Sequence, residues 1–299
     1  MLDKNALEVS NRLVSTSSEY ANMLSPRRLS PLVQDFKEET MAVAGAVTDL
    51  EAIKTTDITF ESDGASMEGY LAGPRAASAY PAPSIIVLHG VAGLGDHWKD
   101  LARRFANVGY IALAPSLYSR VGSPPPGDQQ AAFAKAAQIT DPQAVRDLEA
   151  AAGFLRGQGG ASGKVGLIGF SMGGRFTLLT ACSSQKIDAA VDCWGGFLSR
   201  ANPQAETTPA RPVPVLDLLG NLHCPLFAAF GADDPSPTPA EAEELGKRLK
   251  AAGKEATIKV YPNAGHNFLM DVAPDNYREA QANELWGDVL SFFGKSLGR

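Results

Sequence analysis

The chain has 299 residues, 44% apolar and 20% charged, with a formal net charge of −6 and a pI near 5.3. This length holds one large α/β domain or two small ones, and a domain of this size buries about three quarters of its unfolded surface without a disulfide or metal staple. No lysine- or arginine-rich stripe is present, which speaks against nucleic acid as the main partner. The acidic balance disfavours polyanionic substrates, although one local arginine can still hold a single carboxylate.

Cys182, Cys193 and Cys224 are odd in number and widely spaced, and none forms a CxxC pair. They read as buried packing residues of a protein from a reducing compartment rather than as a disulfide framework or a zinc site. The N-terminus, MLDKNALEVS, carries acids early and lacks the apolar core of a secretory signal, and Arg27-Arg28 is followed by polar sequence. No stretch approaches the roughly 18 apolar residues of a membrane span. A cytoplasmic protein with no membrane partner is expected.

Residues 1–55 read as a partly helical arm. They are polar and weakly periodic, with Leu32, Phe36, Val43 and Val47 able to share one helical face. Such an arm can pack on its own domain, cover an active-site edge, or pair subunits into a homodimer, and the sequence leaves the three open. A regular domain is expected over 56–299. Asp57–Glu61 and Met67–Ala72 read as strands joined by the turn Ser62-Asp63-Gly64. Ser84–Leu88 is a short apolar run suited to a strand buried on both faces. A helix follows, with Asp96 as its cap, Trp98, Leu101, Phe105 and Val108 at helical spacing, and Gly109 as its stop.

Tyr110–Ala114 is the next strand, and Asp141-Pro142 opens a helix carrying Val145, Leu148, Ala152 and Leu155 on one side. Lys164–Phe170 reads as a strand, Met172–Cys182 as a helix, and Ile187–Cys193 and Pro225–Phe230 as strands. Thr238 with Glu241 makes a capping box for a helix ending near Gly253; Ala256–Tyr261 is the last strand. A closing helix turns Leu285, Trp286, Val289 and Phe293 inward. Repeated strand–helix units of this length predict an α/β fold: a mostly parallel sheet with helices on both faces. Two proline-bearing stretches, 119–130 and 199–222, break the rhythm and read either as walls of a pocket or as plain surface insertions.

The chemistry centres on Gly169-Phe170-Ser171-Met172-Gly173-Gly174. It follows an apolar strand and precedes a helix, the context of a nucleophile elbow. A turn that tight needs glycine at the flanking positions, and it aims the Ser171 hydroxyl out of the sheet beside helix amides that can meet an oxyanion. Serine needs a base. His266, in the loop after the last strand, lies at the same sheet edge; the three other histidines read as structural (His89) or as ordinary helix and loop residues (His97, His223). The third member is an acid between serine and histidine in the chain, either Asp234 or Asp233, with Asp234 preferred because it stands clear of the strand end. The amides of Met172 and Val91 are the expected oxyanion donors.

On these residues the chain resembles the dienelactone hydrolase family of α/β-hydrolases over roughly 56–297. The resemblance is carried by HGVAGLGDHWKDLARRFANVGYIALAPSLYSR at 89–120, GFSMGG at 169–174, FGADDPSPTPAE at 230–241 and YPNAGHNF at 261–268. It implies an α/β-hydrolase fold with an eight-stranded sheet, a cofactor-free mechanism, and a small ester or lactone as substrate, with Ser171 as nucleophile, Asp234 as acid and His266 as base. It also implies that Arg120, in Leu117-Tyr118-Ser119-Arg120, holds a substrate carboxylate, where the residues alone allow a plain ion pair equally well. The chain departs from the family's cysteine-nucleophile pattern at three positions: serine at 171, Gly90 where that pattern has a glutamate, and Met270 where it has a second substrate-binding arginine. A serine esterase working through an acyl-enzyme is therefore expected. An acyltransferase or peptidase on the same residues, or a non-catalytic binding protein that keeps the fold, are the rival readings.

Overall fold

The computed structural model describes residues 43–76, 80–196, 198 and 208–299. Leu32 and Phe36, half of the expected helical face of the arm, lie outside the described residues. Val43 and Val47, the other half, sit in non-helical chain. Ala44 there is buried and its carbonyl accepts from Arg104.

Strands β1 (Ile53–Ser62) and β2 (Ala65–Pro74) form an antiparallel hairpin. Its two-residue turn places Asp63 at φ 44° and Gly64 at φ 71°, the left-handed geometry that matches the natural twist of paired strands. The remaining strands are β3 (Ala82–Leu88), β4 (Ile111–Pro115), β5 (Ala161–Phe170), β6 (Ala189–Cys193), β7 (Leu226–Gly231) and β8 (Ala256–Tyr261). They complete one sheet in the order β1-β2-β4-β3-β5-β6-β7-β8, with β3 to β8 parallel. All eight strands read from the sequence are present. The central ones are buried along their whole length, which is why they appear as unbroken apolar runs rather than alternating patterns.

Among the described residues six α-helices cover the sheet: α1 (Asp96–Asn107), α2 (Gln129–Ala136), α3 (Asp141–Arg156), α4 (Met172–Ser183), α5 (Pro239–Ala251) and α6 (Glu279–Leu297). On one face α1 and α6 bury Trp98, Leu101, Phe105, Leu285, Trp286 and Phe293. On the other, α3, α4 and α5 bury Leu148, Leu155, Phe176, Leu179, Leu245 and Leu249. Thr238 and Glu241 form the expected capping box of α5. Asp96 is not the cap of α1: the cap position is Gly95, and Asp96 lies in the first turn, where its charge still favours the helix dipole. The stretch 119–130 is less irregular than expected, since Asp128 caps the short helix α2. The second stretch ends in a 3-10 helix, Val215–Asn221, that buries Val215, Leu216 and Leu219. No described helix is long and apolar enough to cross a membrane.

The chain leaves β3 to one side for β4 and returns on the other side to β5. Such a reversal opens a crevice beyond the carboxyl ends of the two neighbouring strands, where open α/β sheets bind ligands. The loop with Val91 follows β3 and Ser171 follows β5, so topology alone brings these two together.

Candidate active site

Ser171 sits between β5 and α4 at φ 55° and ψ −115°, a conformation that costs a non-glycine residue about 1–3 kcal/mol. Its neighbours make the strain unavoidable. A Cβ on Gly169 would lie 2.1 Å from the Gly173 carbonyl oxygen, and one on Gly173 would lie 2.6 Å from that of Leu88. The strand, the turn and the helix are thus pressed together more closely than any side chain allows. The Ser171 amide donates to the Cys193 carbonyl at 2.9 Å, and its own carbonyl accepts from the Arg175 amide at 3.0 Å. These bonds hold the strained residue at both ends.

Three sequence-distant side chains meet at this point. Ser171 Oγ is 3.0 Å from His266 Nε2, and His266 Nδ1 is 2.7 Å from Asp234 Oδ2. With Nδ1–H donating to the carboxylate, Nε2 is left as the acceptor for the serine hydroxyl. The Asp234 carboxyl is fully buried, and its other oxygen accepts from the Ser236 amide at 2.9 Å. Asp233, the other candidate acid, is exposed.

The choice between the two acids is made by the backbone. The loops after β7 and β8 are zipped together by Ala232 N–H to Tyr261 O and Asp233 N–H to Ala264 O, both at 2.9 Å. Gly231 permits this approach, because a Cβ there would fall 2.3 Å from the Ala264 oxygen. That pairing spends Asp233 on the loop and turns Asp234 toward the imidazole.

Met172 is the first residue of α4, so its amide is one of those that a helix N-terminus leaves without an intrahelical partner. Val91 lies one residue beyond Gly90, whose position is 3.8 Å from Ser171 Cβ measured from an ideal Cβ. The loop carrying Val91 is fixed from outside the expected set. Tyr118 Oη donates to the Val91 carbonyl at 2.7 Å and lies 3.7 Å from Met172 Sδ. Burial pushes the Tyr118 phenol up to about 12, so it stays a donor. Tyr118 stacks on His89, whose Nε2 accepts from the Leu117 amide while Nδ1–H donates to the Gly90 carbonyl. Burial lowers His89 to about 4, so it stays neutral and serves as a strut under the Gly90–Val91 loop.

Arg120 is not at this site in the way expected. Its Nε and a terminal nitrogen form a fork on Asp147 of α3 at 2.8–3.2 Å, and the same terminal nitrogen donates to the Ser62 carbonyl at 2.6 Å. The Ser62 hydroxyl also donates to Asp147 at 2.6 Å. The guanidinium therefore ties the β1–β2 hairpin to α3, and the substrate-carboxylate role gives way to the ion-pair reading.

Residues not singled out from the sequence surround the histidine. Trp194, fully buried, lies 6.4 Å from the His266 ring and donates its indole N–H to Asn267 at 3.1 Å. Asp271, five residues past His266, binds His97 and Arg104 of α1 at 3.0 and 2.7 Å, so His97 is an anchor of the histidine loop rather than a bystander. Burial raises the Asp271 carboxyl, but the hydrogen bond to His97 and the Arg104 guanidinium outweigh it and bring it to about 2. The three cysteines are free thiols in buried positions, as expected.

The crossing order of the sheet, the strained serine after β5, and the acid and histidine loops after β7 and β8 define an α/β-hydrolase. Within that class the chain matches the dienelactone hydrolase family over residues 67–297, and it belongs to that family; it is a hydrolase of the lactone and ester class. It is 33% identical over 250 residues to a protein of Salmonella typhimurium named "putative carboxymethylenebutenolidase", covering 83% of this chain and 90% of that one. A protein of the same name from Escherichia coli is 32% identical over 251 residues, covering 83% and 90%. The crystal structure of a "putative dienelactone hydrolase" from Klebsiella pneumoniae superposes with a TM-score of 0.74 at 31% identity, covering 81% of this chain and 99% of that one.

Proposed function

We propose that this protein is a serine hydrolase that cleaves small carboxylic esters or lactones through an acyl-enzyme. The observation that carries the reading is the continuous hydrogen-bonded line from Ser171 Oγ through His266 to the buried Asp234. His266 Nε2 takes the Ser171 proton as Oγ attacks the substrate carbonyl. The amides of Met172 and Val91 receive the negative charge of the tetrahedral intermediate. His266, now doubly protonated and stabilised by Asp234, returns the proton to the leaving alkoxide, and the acyl group remains on Oγ. Water then enters, gives its proton to Nε2 and hydroxide to the acyl carbon, and the second intermediate collapses to release the acid and restore Ser171.

Ser171→Ala is expected to lower kcat on p-nitrophenyl acetate or butyrate by about 10³-fold or more. A fully active alanine variant would remove Ser171 as nucleophile. A fluorophosphonate probe should label the wild-type chain at Ser171 and leave the variant unlabelled.

A further inference from the structure

Asp192 is a buried acid that takes no part in the proposed chemistry. It lies on β6 and is fully buried. Its Oδ1 accepts the Gly195 amide at 2.8 Å, which closes the turn 192–195. Its Oδ2 has no partner among the described residues. Burial pushes the carboxyl up to about 7, so the protein bears an energetic cost for keeping this acid inside. Space is reserved for it as well: a Cβ on Gly174 or on Gly195 would fall 2.4 or 2.5 Å from Oδ1.

The turn that Asp192 closes bonds the backbone of the nucleophile and lies against the ring of the base. Its Cys193 carbonyl accepts the Ser171 amide at 2.9 Å. Trp194 stands at φ 44° with its amide on the Ala229 carbonyl at 2.7 Å. Its ring edge faces His266, and its indole N–H holds Asn267, itself at φ 63°. A left-handed tryptophan persists only where its surroundings over-determine it. The Asp192–Gly195 bond is the constraint that returns the chain directly after that residue.

Resting on the serine-hydrolase reading above, we propose that Asp192 is a positioning residue that sets the distance between Ser171 and His266 through the turn Cys193-Trp194-Gly195. One end of the turn fixes the amide of the nucleophile, and the other fixes the loop of the base. Loss of the Oδ1 acceptor lets the two drift apart without touching the substrate.

The test is turnover of p-nitrophenyl acetate per fluorophosphonate-labelled Ser171, which removes any unfolded fraction from the comparison. Displacements of about 1 Å cost up to about 100-fold in rate. Asp192→Ala is therefore expected to lower kcat per labelled site about 10- to 100-fold while KM moves less than about threefold. Asp192→Asn keeps an acceptor oxygen for Gly195 and is expected to restore kcat to within about threefold. Should the alanine variant not fold, Trp194→Phe keeps an aromatic side chain but loses the indole N–H that holds Asn267, together with part of the ring volume; a fall in kcat at unchanged KM is expected there too. Unchanged kcat per site in Asp192→Ala, or equal losses in the alanine and asparagine variants, would overturn the proposal. If alanine at 192 cannot be measured, unchanged kcat in Trp194→Phe overturns it. Failure of the wild-type chain to label at Ser171 instead overturns the serine-hydrolase reading on which it stands.

Discussion

The ion pair between Arg175 and Asp141 offers the sharpest stability prediction. Arg175 lies in the first turn of α4, one helical turn past Ser171, and Asp141 begins α3. Their side chains are 5% and 4% exposed and meet as a two-pronged fork at 2.7 and 2.8 Å. Replacing such a pair with apolar groups is often neutral, but removing one partner leaves an uncompensated charge inside, at a cost of about 3–5 kcal/mol. A third group adds to the cost here. Arg211 is held down by burial and by the neighbouring Arg175 guanidinium, and Asp141 is what favours its charged form. Without Asp141 the two cations share one site with no described anion beside them. Asp141→Ala is therefore expected at the upper end of that range, about 4–5 kcal/mol. Urea denaturation followed by tryptophan fluorescence measures it, and the double variant Asp141→Leu with Arg175→Met should recover most of the loss. A cost for Asp141→Ala below about 1 kcal/mol would mean that water already solvates the pair, and the reasoning would fail.

Arg120→Ala should destabilise the fold by about 1–3 kcal/mol, the worth of hydrogen bonds to a charged group. It should shift KM for carboxylate-bearing and neutral p-nitrophenyl esters by the same factor; a selective rise for the carboxylate substrates would reinstate Arg120 as a substrate anchor. His89 makes stability fall in mild acid. Its folded value of about 4 lies below the ordinary 6.5, so the unfolded chain takes up the proton first. The stabilisation is complete above pH 6.5 and is lost as pH falls from 6.5 to 4, about 3 kcal/mol in all. Urea midpoints across that window should show a steeper acid loss in wild type than in His89→Gln, and equal slopes would refute the assignment.

What was legible in the sequence followed the range of each interaction. The strands were legible because burial on both faces writes itself as an apolar run, and the capping box of α5 because its partners are three residues apart. Helix α2 was missed because half of it is alanine: it buries Ala132 and Ala136 and leaves Phe133 half exposed, so no apolar stripe marks it. Ser171 and His266 could be placed by their strand ends alone. The choice of Asp234 over Asp233 depends on two backbone bonds between the β7 and β8 loops, and the partner of Arg120 lies 27 residues away on α3. Trp194 belongs to no motif in the sequence; its positive φ and its bond to Asn267, next to His266, appear only in the fold.

The departures from the cysteine pattern of the family form one consistent change. An ideal Cβ at position 90 lies 3.8 Å from Ser171 Cβ and 3.7 Å from the Phe170 carbonyl, so a glutamate there would bring a carboxylate beside the nucleophile. A thiol reacts as its anion and gains from groups that tune its ionisation. A serine hydroxyl reacts by handing its proton to a base in the transition state, and a second carboxylate would oppose the negative charge growing on the substrate oxygen. Under the serine-hydrolase proposal, glycine at 90 would leave that charge to the Met172 and Val91 amides, with His266, 3.0 Å from Oγ, as the base. The same logic extends to the substrate. Arg120 is occupied by Asp147, and Met270 supplies no charge where the pattern has its second arginine. Neutral p-nitrophenyl esters are therefore expected to be turned over with a higher kcat/KM than carboxylate-bearing ones, and the reverse order would refute the argument.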